Sequence, residues 1–195
     1  MAHLPHFIKS AYFEKDYPIH NSTEFAFLGA SNSGKSSLIN AILKRKLCKT
    51  SSKPGHTSII NFFQYEKETV IVDLPGYGYA RRSDKEQKKW KKAIDMYLSM
   101  RDSLRLCFVL FDLKRGLMEN DIDLIEYLSD QKLPFMLVAT KIDKLNQKEQ
   151  SAKIKSLKEQ VGLFDFALTS SLKDKGIKQL VTHIQITSKI KSPTD

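Results

Sequence analysis

The chain has 195 residues, 41% of them hydrophobic, and carries 32 Lys+Arg against 22 Asp+Glu for a formal net charge of +10. That length suits one well-filled core, and the surplus of cations points to a polyanionic partner, nucleic acid ahead of an anionic membrane surface. No apolar run approaches the length of a spanning helix and Met1-Ala2-His3-Leu4-Pro5-His6 has no signal-peptide core, so no membrane association is expected and a cytoplasmic protein is; the two cysteines, Cys48 and Cys107, are then expected as free thiols.

In chain order, residues 1–23 mix aromatics, histidines and charges without a period and read as an irregular extension with room for one docked segment. The apolar run Phe25-Ala26-Phe27-Leu28 predicts a buried strand, and Ser37-Leu38-Ile39-Asn40-Ala41-Ile42-Leu43 a helix. Residues 44–55 are polar and punctuated by Pro54-Gly55, which predicts an exposed, mobile loop holding Cys48. Residues 58–65 and 69–73 flank Glu66-Lys67-Glu68 as a hairpin. From Asp84 to Met100, Trp90, Ala93, Ile94, Tyr97 and Leu98 fall on one helical face, opposite Lys85, Lys88 and Lys92. Strand and helix then alternate: a strand at 104–111, a helix at 119–130, a strand at 135–139. A helix opened by the capping box Asn146 and Glu149 and closed by Gly162 follows, then a short strand at 164–168 and a last helix marked by Ile177, Leu180, Val181 and Ile184. This alternation specifies an α/β three-layer fold, with a mostly parallel six-stranded sheet, one antiparallel edge strand and helices on both faces. Ligands of such folds bind at the carboxyl ends of the strands.

The chemistry concentrates at those ends. Gly29-Ala30-Ser31-Asn32-Ser33-Gly34-Lys35-Ser36 fits G-x-x-x-x-G-K-S/T between a strand and a helix. A turn of this kind aims backbone N–H groups and the positive end of the helix dipole at a polyphosphate, with Lys35 reaching the β- and γ-phosphates and the Ser36 hydroxyl placed to ligate Mg²⁺. Asp73-Leu74-Pro75-Gly76 follows a strand, as D-x-x-G must if Asp73 is to hold Mg²⁺ through water while the Gly76 N–H meets the γ-phosphate. Thr57, within Gly55-His56-Thr57-Ser58-Ile59, offers a hydroxyl to the same ion. In Thr140-Lys141-Ile142-Asp143 the carboxylate accepts from guanine N1–H and the 2-amino group, a pairing adenine does not offer, while the Lys141 stem lies along the purine. Thr169-Ser170-Ser171 offers backbone N–H groups to guanine O6. An ATP-using enzyme is disfavoured by Asp143.

With these residues in hand, the chain resembles the EngB (YsxC/YihA) family within the translation-factor-related P-loop GTPases. The likeness rests on Gly29 to Asn40, Ser51-Ser52-Lys53-Pro54-Gly55-His56-Thr57, Asn61-Phe62-Phe63, Asp73-Leu74-Pro75-Gly76-Tyr77-Gly78-Tyr79-Ala80 and Thr140-Lys141-Ile142-Asp143-Lys144-Leu145. It implies GTP hydrolysis to GDP, a role in maturing the large ribosomal subunit, and an association with cell division and septation. The expected division is an extension (1–23), a GTPase domain (24–190) and a disordered tail (191–195), in a monomer. The chain departs from the family pattern at Ala30, where Arg is usual, at Ser33, where Val is usual, and at His56 and Ser58.

Many small GTPases place a glutamine after D-x-x-G to orient the attacking water; Tyr77 stands there, so slow intrinsic turnover is expected. Asn32 resembles the P-loop asparagine of GTPases that bind K⁺, which makes Lys35, Asn32, Thr57 and Gly76 the candidate catalytic set, stimulated by K⁺ or a ribosomal partner. Arg81, Arg82, Lys85, Lys88, Lys89 and Lys92, with Lys91, form the candidate surface for rRNA of a large-subunit precursor. The alternative reading is a nucleotide-stabilised rRNA-binding scaffold with negligible turnover.

Overall fold

The computed structural model describes residues 4–48, 59–77, 84–162 and 164–190, and for 84–90 the backbone alone. Strands β1 (His6–Ala11), β2 (Thr23–Gly29), β3 (Ile60–Glu66), β4 (Thr69–Asp73), β5 (Leu104–Asp112), β6 (Phe135–Thr140) and β7 (Phe166–Leu168) form one seven-stranded sheet in the order β1-β3-β4-β2-β5-β6-β7. Among the described residues five helices cover it: α1 (Lys35–Leu43), α2 (Asp84–Met100), α3 (Glu119–Asp130), α4 (Gln147–Val161) and α5 (Ile177–Ser188).

Strand β3 pairs antiparallel with both its neighbours, and every other pairing between the parallel strands keeps one direction. The reversed strand is the one the hairpin predicts, but it is not the edge. Part of the extension, β1, adds a seventh strand outside it. Its sequence shows no alternation because it is an edge strand with a register shift between Phe7 and Lys9, held by its backbone ladder. The Ser10 hydroxyl donates to Asn61 Oδ1 at 2.6 Å, and the Phe7 and Phe63 rings lie 5.6 Å apart.

The central strands β2 and β5 are buried on both faces and therefore read as continuous apolar runs rather than alternating ones. Their residues divide by the period of two into two cores. Ala26, Leu28, Val70, Val72, Cys107 and Val109 pack with Ile94, Tyr97 and Leu98 of α2, Leu124 and Leu128 of α3 and Leu157 of α4. Phe25, Phe27, Ile71, Phe108 and Leu110 pack with Leu38, Ile39 and Ile42 of α1 and Leu180 and Ile184 of α5. Three helices thus lie on one face and two on the other.

Helix α4 opens as the capping box predicts: Asn146 Oδ1 accepts from the Glu149 N–H at 2.9 Å, and Glu149 Oε2 accepts from the Asn146 N–H at 2.8 Å. Gly162 ends it at φ 61° and ψ −118°, a combination outside the left-handed helical region that only a residue without Cβ adopts without strain. Strand β7 is shorter than the apolar run suggests, because the Phe164 ring turns onto Phe135 at 5.1 Å instead. Among the described residues, no helix is long and apolar enough to cross a membrane. The consequence of the parallel order is positional. Gly29, Asp73, Asp112, Thr140 and Leu168 all end strands at one edge of the sheet.

Candidate functional site

The turn after β2 is shaped by close approach. A Cβ on Gly29 would lie 2.6 Å from Ser33 Oγ and 2.7 Å from the Leu110 carbonyl oxygen, so only glycine fits. Asn32 then takes φ 66° and Gly34 φ 98°, which swings the chain into α1. The Ser33 N–H donates to the Ala30 carbonyl (3.0 Å), and the Ser31 N–H to the Tyr77 carbonyl (2.9 Å). No side chain caps α1, so the free N–H groups of its first turn and the helix dipole form an anion receptor built from main chain. Ser33 Oγ, buried at 3% exposure beneath the turn, has no hydrogen-bond partner among the described residues.

Lys35, the first residue of α1, forms an ion pair with Asp73 at the end of β4. Ser36 follows it on the helix. A hydroxyl and a carboxylate beside an anion receptor are the hard oxygen donors that suit Mg²⁺. Among the described residues there is no cluster of three or more His, Cys, Asp or Glu. A divalent ion here would depend on few protein ligands, with phosphate oxygens and water completing its shell, as Mg²⁺ usually does. Thr57 with Gly55, His56 and Ser58 lies outside the described residues; Ile59 is half-buried at the start of β3. Beyond Asp73, the Leu74 N–H donates to the Phe27 carbonyl at 3.1 Å, Pro75 is buried, and Gly76 packs against the phosphate turn. A Cβ there would come within 3.2 Å of the Gly29 carbonyl oxygen.

The other end of the site is joined to this turn. The Thr140 hydroxyl lies against the carbonyl oxygens of Ser33 and Phe111 (3.0 Å to the latter), and its single proton serves one of them at a time. Lys141, at φ 56°, sends its ammonium to the Asn32 carbonyl and to Asp112 Oδ2 at 3.1 Å. Two neighbouring carbonyls of the phosphate turn are therefore held by two neighbouring residues of Thr140-Lys141-Ile142-Asp143. Gly34 faces the same pair, with Thr140 Oγ1 at 3.3 Å from where its Cβ would be. Asp143 accepts from the Ser170 hydroxyl, and the Ile142 N–H donates to the Thr169 carbonyl at 3.3 Å, with Ser171 next in the turn. Four of the five predicted elements thus touch one another directly.

Asp112 escaped sequence reading, although the signal was present. It ends an apolar strand at the binding edge, as Asp73 does. Cys48 requires a correction: instead of sitting in an exposed loop it is buried, because Asn40 clamps the chain there. Asn40 Oδ1 accepts from the Leu47 and Cys48 N–H groups at 2.9 and 2.8 Å, and its Nδ2 donates to the Cys48 carbonyl. Burial pushes both thiols up, Cys107 to about 12. On α2, Lys91 and Lys92 are exposed, opposite the buried Ile94, Tyr97 and Leu98. Arg81 and Arg82, and the side chains of Lys85, Lys88, Lys89 and Trp90, lie outside the described residues.

Residues 24–141 match the family model described as a 50S ribosome-binding GTPase. The chain is 41% identical over 170 residues to a probable GTP-binding protein EngB of Bdellovibrio bacteriovorus, covering 87% of this chain and 85% of that one. It is 42% identical over 175 residues to the EngB of Mycoplasmopsis pulmonis, covering 90% and 94%. The crystal structure of a probable GTP-binding protein engB shares the fold, with a TM-score of 0.70 at 20% identity over 86% of this chain and 99% of that one. A crystal structure of an S. thermophilus NFeoB variant bound to GDP.AlF4⁻ gives a TM-score of 0.64 at 28% identity, over 88% and 65%.

Proposed function

The chain belongs to the 50S ribosome-binding GTPases and, within them, to the EngB GTP-binding proteins, and from that premise we propose that it is a GTP-operated switch assisting assembly of the large ribosomal subunit. Normal cell division and septation would depend on that step. The reading places a monomer in the cytoplasm, with a GTPase domain at 24–190, an N-terminal extension before it and a short tail after it. The observation that supports it most is the pair of held carboxylates at the two ends of one latched loop system. Asp73 is held by Lys35 at the phosphate end, and Asp143 by Ser170 at the base end.

In this reading Lys35 leaves Asp73 for the β- and γ-phosphates, while the N–H groups of Gly34, Lys35 and Ser36 where α1 opens face the phosphate chain, those of Ser31 and Ser33 being held by the Tyr77 and Ala30 carbonyls. Mg²⁺, when bound, neutralises the charge of those phosphates; Ser36 and Thr57 would hold it, with Asp73 acting through water. Asp143 takes the guanine N1–H and 2-amino group, with Ser170 orienting it; the Thr169 and Ser170 N–H groups are held by the Ala139 and Lys175 carbonyls at 2.8 and 2.9 Å, so of the predicted donors it is the Ser171 N–H that meets O6. Lys141, anchored by Asp112, covers the purine. The Asn32 carbonyl is taken by Lys141, which leaves its side-chain amide oxygen for K⁺. Turnover is slow, because the Tyr77 ring is buried and its hydroxyl bound to Asp121, so it does not orient water as a glutamine would. The cations Arg81, Arg82, Lys85, Lys88, Lys89 and Lys92 face rRNA.

The test pairs a competition with a rate. GDP should displace labelled GTP at least about a hundredfold better than ADP or ATP does. Phosphate release should rise with large-subunit precursor and in K⁺ relative to Na⁺ at equal ionic strength. Equal displacement by adenine nucleotides ends the proposal. The buried Tyr77 also favours a second reading, a nucleotide-stabilised rRNA scaffold; it predicts no acceleration by precursor, but salt-sensitive co-sedimentation with it.

A further inference from the structure

Asp121 belongs to no motif, is 2% exposed and lies in the first turn of α3. Its two oxygens serve different elements. Oδ2 accepts from the Met118 N–H at 2.9 Å and caps α3, while Oδ1 accepts from the Tyr77 hydroxyl at 2.6 Å. Tyr77 directly follows Gly76 and is 6% exposed. Its main chain lies along the phosphate turn, pairing with Ala30 and accepting from the Ser31 N–H at 2.9 Å. Burial, then the Asp121 charge and the hydrogen bond to it, push the Tyr77 phenol far above its ordinary value, so it remains a donor throughout the physiological range. Tyr77 is thereby fixed from two sides, by the phosphate turn through its main chain and by α3 through the phenol, and Gly76 directly before it packs on Gly29 and Ser31 of the same turn.

We propose that Asp121 is a positioning residue for recognition of a terminal phosphate: through the Tyr77 hydroxyl it holds Tyr77, and with it the directly preceding Gly76, where the Gly76 N–H meets the γ-phosphate. The inference rests on the role given to Gly76 above. A peptide ordered in advance loses less entropy when a triphosphate arrives. A diphosphate, which makes no contact with Gly76, gains nothing from that order, so the link contributes to discrimination between the two nucleotides. The residue must be a carboxylate, because both oxygens accept. Asparagine would have one acceptor for two donors and would turn an amide N–H₂ toward one of them.

The experiment measures dissociation constants of full-length protein for GTPγS and GDP, with Mg²⁺, by calorimetry. Tyr77→Phe removes only the hydroxyl and keeps the ring in the core, so it is the deciding variant; Asp121→Asn and the double variant accompany it. The ratio of GTPγS to GDP affinity should fall about tenfold in Tyr77→Phe. The double variant should fall no further than Asp121→Asn, since both act through one bond. An unchanged ratio in Tyr77→Phe, including equal loss for both nucleotides, overturns the inference. Gly76→Ala separates the two levels. If it abolishes the preference for GTPγS while Tyr77→Phe does not, the positioning role alone fails. If Gly76→Ala preserves the preference, the role of Gly76 fails and the inference with it.

Discussion

A buried carboxylate meets a cation near each end of β2, and the two pairs differ in how completely they are bonded. At the amino end, Glu24 is fully buried and accepts from Arg101 Nε at 3.0 Å and Nη2 at 2.6 Å, from the Tyr97 hydroxyl at 2.8 Å, and lies 3.1 Å from His20 Nε2. Arg101 also donates to the Pro18 carbonyl at 2.8 Å and stacks over Tyr17 and Phe62. At the carboxyl end, among the described residues, Lys35 and Asp73 share a single contact beside the free N–H groups of α1. A fork on a carboxylate with its remaining lone pairs used is a clamp, and it ties the extension to the end of α2. A single contact beside an anion receptor is exchangeable, since a phosphate can replace the carboxylate on the lysine while a cation replaces the lysine on the carboxylate. Saturation, more than burial, separates a structural pair from a working one.

The largest effect expected from this contrast is on stability. Arg101→Leu strands a buried charge and should cost about 3–5 kcal/mol in urea unfolding. Should Lys35→Met cost as much, the two pairs are alike and the contrast fails. Lys35→Met should instead lower GTP affinity by about a hundredfold in calorimetry, because it removes a charge-assisted contact to phosphate.

The pH dependence sharpens the clamp side. Burial alone would raise the Glu24 carboxyl, but hydrogen bonds from His20, Arg101 and Tyr97, with the guanidinium charge, outweigh it and hold it below its ordinary 4.5. Its folded value being the lower one, Glu24 contributes stability that is fully present above pH 4.5 and lost as pH falls through the folded value. Acid unfolding of Glu24→Gln should therefore show a shallower loss below pH 4.5 than the unaltered protein. The smallest effect belongs to the other end. Ser33→Ala removes a buried hydroxyl that has no partner among the described residues and should raise the thermal midpoint, by about 1 kcal/mol of stability.

The helix and strand alternation was legible because hydrophobic period and cap residues are local: the 84–100 and 119–130 helices and the Asn146–Glu149 box appear where the pattern puts them. Strand β1 was not, since an edge strand bonded through its backbone leaves no alternation to read. The exposed position expected for Cys48 failed for a related reason, although Lys44, Arg45 and Lys46 before it are exposed. Asn40 supplies three hydrogen bonds to that segment from a helix, and nothing in the loop's own composition announces them.

The residues alone determined where a phosphate-binding turn stands and in which order the loops around it follow, because a glycine-punctuated turn between strand and helix is set by backbone geometry over a few positions. Only the folded chain decided which side chains hold those loops. Lys35 meets Asp73 across 38 positions, Tyr77 meets Asp121 across 44, Arg101 meets Glu24 across 77, and Thr140 meets Ser33 across 107. No period or spacing encodes such pairs. They arise where a parallel sheet brings distant strand ends together, at its carboxyl edge or its amino edge, and a buried polar group there must take whichever partner the packing delivers.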